Sequence, residues 1–218
     1  MKQRRDGAVP APPAPSPLPA GAELRGTLLL PLLLERFDPD QPLTVLDLGY
    51  GVSETVAFFS RYTCRLHFAG IIGAPELGTL PEEDVDAYLD EAFTRLLDFR
   101  ADARFDVCLL WDFLNYLSVP ALRSFSRVLR PHLHRQTHGH GFGSFKASAP
   151  AMARGAAETA LQYGVYDVDK LLVRPLSDRS APGHSHSRAA LADSLGCFEV
   201  VRGTLLKEGT MELLLQAR

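Results

Sequence analysis

Two hydrophobic rhythms alternate along the chain. Short, mostly apolar runs stand at Val45–Leu48, with Asp47 inside it, and Phe105–Trp111, with Asp106 inside it. Runs of that length suit strands buried on both faces, as in a parallel sheet. Helical spacing follows such runs: Val85, Leu89, Phe93, Leu96 and Leu97 share one face of a predicted helix over 82–99. Further helices are expected over 53–62, 119–129 and 188–195. Residues 23–37 also read as helical, with Pro31 marking a kink or a late start. Arg65–Ile72 reads as a second strand, with a loop over 73–81. A glycine-rich stretch around His138–Phe145 holds a short strand. Residues 174–188 read as a long polar loop. Cys197–Leu206 and Thr210–Gln216, separated by Lys207-Glu208-Gly209, read as an antiparallel hairpin. The alternation of strands and helices predicts an α/β sandwich with one antiparallel addition.

The informative junction is Thr44-Val-Leu-Asp47-Leu-Gly49-Tyr50-Gly51-Val-Ser53. A buried strand ends in a carboxylate and a Gly-x-Gly turn, and a helix then opens at Ser53. Glycines let the backbone approach a ligand closely, and the first amides of the helix face the same crevice. In a doubly wound sheet, ligands bind beyond the carboxyl ends of the strands. By itself this turn is equally an ordinary tight strand-to-helix connection.

Its neighbours extend the pattern. Val45-Leu-Asp-Leu-Gly-Tyr-Gly51 resembles the first motif of class I S-adenosylmethionine-dependent methyltransferases. Phe105-Asp-Val-Cys-Leu-Leu-Trp111-Asp112-Phe-Leu-Asn115-Tyr116-Leu117 is similar to that family's fourth-strand motif and following loop. Ser124–Leu133 resembles the helix that precedes its fifth strand, and the C-terminal hairpin matches its sixth and seventh strands. The resemblance runs over about residues 44–216. It implies a doubly wound, Rossmann-like, mostly parallel sheet closed by a C-terminal antiparallel hairpin, the class I methyltransferase fold. It implies S-adenosylmethionine as cofactor, held by Asp47, Gly49, Tyr50, Gly51 and Trp111. Asp112 would receive the cofactor's ammonium or a substrate proton, and Asn115 and Tyr116 would lie where acceptors dock. His138 or His140, near the end of the fifth strand, is the candidate general base.

The sequence departs from the family at two places. Ser53 replaces the third glycine, which a helix-capping serine tolerates. No acid ends the second strand: Ile71 or Ile72 stands where relatives carry the ribose-binding carboxylate, with Glu76 a few residues on. Asp98 and Asp102 are candidates for the adenine. Two function classes therefore stay open. One is a methyltransferase acting on an unidentified small-molecule or protein acceptor. The other is a degenerate methyltransferase-like domain that serves as a scaffold or regulatory partner. A nicotinamide-dinucleotide domain is a weaker third reading, since it too wants an acid on strand two.

Composition narrows the setting. The chain of 218 residues is 46% hydrophobic, enough for one core, expected over 22–218. Residues 1–21, with six prolines between Pro10 and Pro19, read as a disordered tail. A formal charge of −3 gives no reason to expect nucleic acid. The apolar run 28–34 is too short to span a bilayer. Three scattered cysteines read as buried free thiols in a reducing compartment, so the expected location is cytoplasmic. Histidines crowd 132–140 and 184–186, but their spacing fits no zinc site and no metal is expected.

Overall fold

The computed structural model describes residues 18–144, 157–206 and 209–218. The proline-rich tail and the turn residues 207–208 lie outside these. The main sheet has six strands among the described residues, in the order β3-β2-β4-β5-β9-β8. They are β2 (Leu43–Asp47), β3 (Cys64–Phe68), β4 (Phe105–Trp111), β5 (Leu133–Ser144), β8 (Phe198–Leu205) and β9 (Thr210–Ala217). The first four run parallel, and β9 inserts antiparallel between β5 and β8. The expected mostly parallel sheet with its closing hairpin is therefore present.

Helix α2 (Ser53–Phe59) crosses from β2 to β3, and α3 (Val85–Leu97) returns the chain to the other side of β2. The direction of winding thus reverses between β2 and β4. That reversal opens a crevice at the carboxyl ends of those two strands. Helix α4 (Val119–Leu129) leads to β5, and α5 (Arg188–Ser194) to β8. Side chains of β2 and β4 alternate between two cores. Leu46, Cys108 and Leu110 pack toward α3, α4 and α5, while Val45, Val107, Leu109 and Trp111 pack on the opposite face.

That second face is covered in a way the sequence reading did not anticipate. Residues 23–37 are not one helix. They form a strand, β1 (Glu23–Gly26), and a short helix, α1 (Leu30–Leu34), with Pro31 in its first turn. Pro31 therefore marks a late helix start, since it lacks the amide that a mid-helix position must donate. The expected loop over 174–188 is mostly strand. Strands β6 (Ala157–Asp167) and β7 (Lys170–Pro182) form a long antiparallel hairpin, and β1 adds to its edge. The alternation Leu161, Tyr163, Val165 and Leu171, Val173 supplies its buried face. This three-stranded sheet lies with α1 and α2 over the second core. The glycine-rich strand also runs longer than expected, through all of β5. Among the described residues no helix is long and apolar enough to cross a membrane.

Candidate active site

The motif turn sits at the winding reversal. Asp47, the last residue of β2, is fully buried. Its Oδ1 accepts from the Gly49 amide (2.8 Å) and from Trp111 Nε1 (2.6 Å), so one carboxylate oxygen ties the turn to the end of β4. Its Oδ2 is buried with no partner among the described residues. Burial pushes the Asp47 carboxyl up to about 7, against the two hydrogen bonds that favour its ionised form.

Trp111 ends β4 with φ of 50°, a left-handed conformation that a bulky residue adopts only under constraint. The constraint is visible on β5. Gly141 pairs with Trp111 across a register shift, and a Cβ at Gly141 would stand 2.9 Å from the Trp111 carbonyl oxygen. The kink turns the indole onto the α2 side, where it stacks on Tyr163 with centroids 5.3 Å apart and planes 4° from parallel. Phe142, the residue after Gly141, also stacks on Tyr163, with centroids 5.5 Å apart.

Asp112 follows the kink and is also buried. Its Oδ2 accepts from the Tyr116 hydroxyl at 2.7 Å, and its Oδ1 is buried with no hydrogen bond of good geometry among the described residues, although the Tyr163 hydroxyl stands near the carboxyl. Burial pushes Asp112 up to about 6, opposed by the bond from Tyr116, by Tyr163 and by the charge of Arg25 on β1. Asn115 fastens the turn after β4. Its side chain donates to the Phe142 carbonyl (3.3 Å) and accepts from the Ser144 amide (2.8 Å), and its carbonyl accepts from the His184 amide (2.6 Å).

The predicted histidines stand further back on β5. His140 pairs in register with Leu109 and His138 with Val107, both inside the sheet. His140 is fully buried, and its Nε2 contacts Glu212 Oε1 at 2.7 Å. Glu212 also accepts from the Leu28 and Leu29 amides and from the Thr27 hydroxyl. Burial alone would raise the Glu212 carboxyl. The His140 bond and charge, with Thr27 and Leu28, outweigh it and hold the group well below the usual carboxylate range. His138 donates through Nδ1 to the Gln136 carbonyl at 2.7 Å. Among the described residues no three histidine, cysteine or acidic side chains gather as a metal would require.

The remaining candidates separate by strand direction. Helix α3 brings the chain back to the amino end of the sheet, so Asp98 and Asp102 precede β4 at the end opposite the crevice. Ile71 and Ile72 are both buried, and the Ile72 carbonyl accepts from the Tyr50 hydroxyl at 2.9 Å. Glu76 points its carboxylate at Arg95 of α3, 4.0 Å away. Arg174 and Arg179, in the segment expected to be a polar loop, are used in packing. Arg174 pairs with Glu54 at 2.7 Å, and the Arg179 guanidinium lies over the Tyr50 ring, 5.0 Å from its centroid.

For S-adenosylmethionine the fit differs between the two ends of the crevice. At the methionine end, two buried carboxylates each keep an oxygen unpartnered among the described residues, which suits a cationic head group. At the ribose end no carboxylate ends β3, and Phe68 and Tyr50 lie against Gly51 and Gly70. A cavity of about 80 Å³ opens beside the crevice, between Gly73–Gly78, Phe113–Leu117 and Ser180–Pro182.

No protein-family profile matches the chain, and no curated protein sequence matches it. Solved structures do resemble it. The pyocyanin biosynthetic protein PhzM superposes with a TM-score of 0.45 at 15% identity, over 88% of this chain and 55% of that one, so the chain spans about half of that protein. The glycopeptide N-methyltransferase MtfA, solved with S-adenosylmethionine, gives 0.43 at 12% identity, over 87% of this chain and 92% of that one. The 1,6-didemethyltoxoflavin-N1-methyltransferase of Burkholderia thailandensis, solved with S-adenosylhomocysteine, gives 0.45 at 15% identity, over 81% and 72%. These likenesses concern fold alone. Strand order, the winding reversal at Asp47 and the inserted antiparallel β9 give the chain a class I methyltransferase-like fold.

Proposed function

We propose that the chain is an S-adenosylmethionine-dependent methyltransferase whose cofactor head group sits between the ends of β2 and β4. One observation carries this reading: among the described residues, Asp47 and Asp112 each bury a carboxylate oxygen with no hydrogen bond of good geometry at the winding reversal. A buried acceptor left unpaired costs about 1–3 kcal/mol. An ammonium group beside either carboxylate would satisfy its free oxygen and favour its ionised form. Asp47, Gly49, Tyr50, Gly51 and Trp111 would hold the cofactor, which supplies an electrophilic methyl group. The chain's own contribution is then positioning and exclusion of water. Where a small-molecule or protein acceptor must lose a proton, Asp112 is suited to take it, since its carboxyl titrates near 6. His140 is engaged by Glu212 and enters this reading as a support for β5.

A second reading is a methyltransferase-like scaffold or regulatory partner without catalysis. It is favoured by the ribose end, where Ile71 or Ile72 stands in place of the acid and Arg179 lies against Gly73. Calorimetry with S-adenosylmethionine and S-adenosylhomocysteine separates the two. The enzyme reading predicts micromolar binding that is abolished by Gly49→Val and weakened at least tenfold by the isosteric Asp47→Asn, with far-UV circular dichroism unchanged. Absence of heat at millimolar ligand selects the scaffold.

A further inference from the structure

The β6–β7 hairpin contacts the motif turn, the first turn of α2, the end of β4 and the turn after β3. Tyr163 stacks on Trp111. Gly164 crosses α2 so closely that a Cβ there would stand 3.1 Å from Val52 and 3.2 Å from Glu54. The Val165 amide donates to Thr55 Oγ1 at 3.1 Å. Arg174 pairs with Glu54 at 2.7 Å, and Arg179 covers Tyr50 and Gly73. The hairpin therefore lies across the helix N-terminus and glycine turn that border the crevice.

We propose that this hairpin is a latch, which must lift from α2 before a ligand enters the crevice, and that the Glu54–Arg174 pair holds it shut. The proposal rests on the crevice being the ligand site, but the latch itself can be tested without any ligand. Two features make lifting feasible. The hairpin belongs to a separate three-stranded sheet, so its movement breaks no ladder of the main sheet. Among the described residues its polar hold on α2 is one ion pair and one amide-to-threonine hydrogen bond, beside the apolar packing of Tyr163 and Val165 on the second core. A site open for only a fraction of the time binds with an affinity reduced by that fraction. Loosening the latch therefore strengthens apparent binding.

Trp111 is the sole tryptophan of the chain and is fully buried beneath Tyr163. Acrylamide quenching of its emission reports lifting directly. In Glu54→Gln, and independently in Thr55→Val, the quenching constant is expected to rise several-fold while far-UV circular dichroism stays unchanged. The charge reversal Glu54→Arg with Arg174→Glu is expected to return it toward the wild-type value. Quenching at the wild-type level in both single variants, each folded, overturns the latch. So does a rise in quenching that only accompanies lost secondary structure. Titration with S-adenosylmethionine then separates the two ideas. Several-fold tighter binding by Glu54→Gln supports both. Raised quenching with no binding by any form keeps the latch and removes the cofactor.

Discussion

Asp47 and Asp112 concentrate the chemistry of the site in two residues, and their titration has a calculable sign. An unfolded aspartate titrates near 3.8, whereas Asp47 is raised to about 7 and Asp112 to about 6, burial being the first cause for both. Below 3.8 both states hold the proton. Between there and 7 the folded chain keeps protons that the unfolded chain has lost, so stability falls as pH rises through that window. In thermal melts of the ligand-free protein this contribution lowers the midpoint toward pH 7.5, while His67, His138, His184 and His186, whose pKa burial lowers, act in the opposite direction; comparison with Asp47→Asn across the same pH range isolates it. Asp47→Asn should remove much of that slope and raise stability at pH 7.5, by an amount on the order of a few kcal/mol. A cationic ligand has the opposite dependence, binding more tightly as the carboxylates ionise between pH 6 and 8. Gly141 is constrained as firmly as the acids. Gly141→Ala sets a methyl group against the Trp111 carbonyl and should cost about 1–3 kcal/mol in urea unfolding.

At the scale of elements, the parts that were legible in the sequence are those whose local pattern agrees with their tertiary role. Phe105–Trp111 is apolar on both faces because it is a central parallel strand. Val119–Leu129 has a serine cap, Ser118, and a proline in its first turn, and the helix forms where those signals stand. The misread segments lack such agreement. The leucines of 28–34 look helical all round, but Gly26 and Pro31 break the segment, and Glu212 fixes its conformation from 185 residues away through the Thr27 hydroxyl. No local pattern announces that partner. The hairpin of β6 and β7 was hidden because arginine, serine and proline in its later half mimic a loop, although Leu161–Val165 already alternates as a strand does. Its contact with the site, through Tyr163, is a tertiary fact with no motif. The Glu212 network gives a prediction at this scale. Glu212→Ala leaves the His140 ring and the Leu28 and Leu29 amides without their acceptor. It should cost about 3–5 kcal/mol in chemical denaturation, the range for breaking a buried pair by removing one partner.

For the whole molecule, two sheets of different origin meet at the crevice. The six-stranded sheet supplies Asp47, Trp111 and Asp112 from the ends of β2 and β4. The three-stranded sheet supplies the ring of Tyr163 and the cover over α2. The fold and the location of the crevice were legible because Asp47-Leu-Gly-Tyr-Gly51 and Phe105–Asp112 record the geometry of strand ends locally. The cover was not, since it depends on which distant strands pack against them. In the main sheet the edge at β3 carries no further strand among the described residues, so the ribose end is bordered by the buried Ile71 and Ile72. The crevice beside Trp111 is proposed to receive S-adenosylmethionine. Titrating the protein with that compound while exciting tryptophan selectively reads the site itself, because Trp111 is the only tryptophan. The account predicts a saturable change in emission with a micromolar midpoint, tighter at pH 8 than at pH 6 and weakened at least tenfold in Asp47→Asn. No saturable change up to millimolar concentration would contradict it.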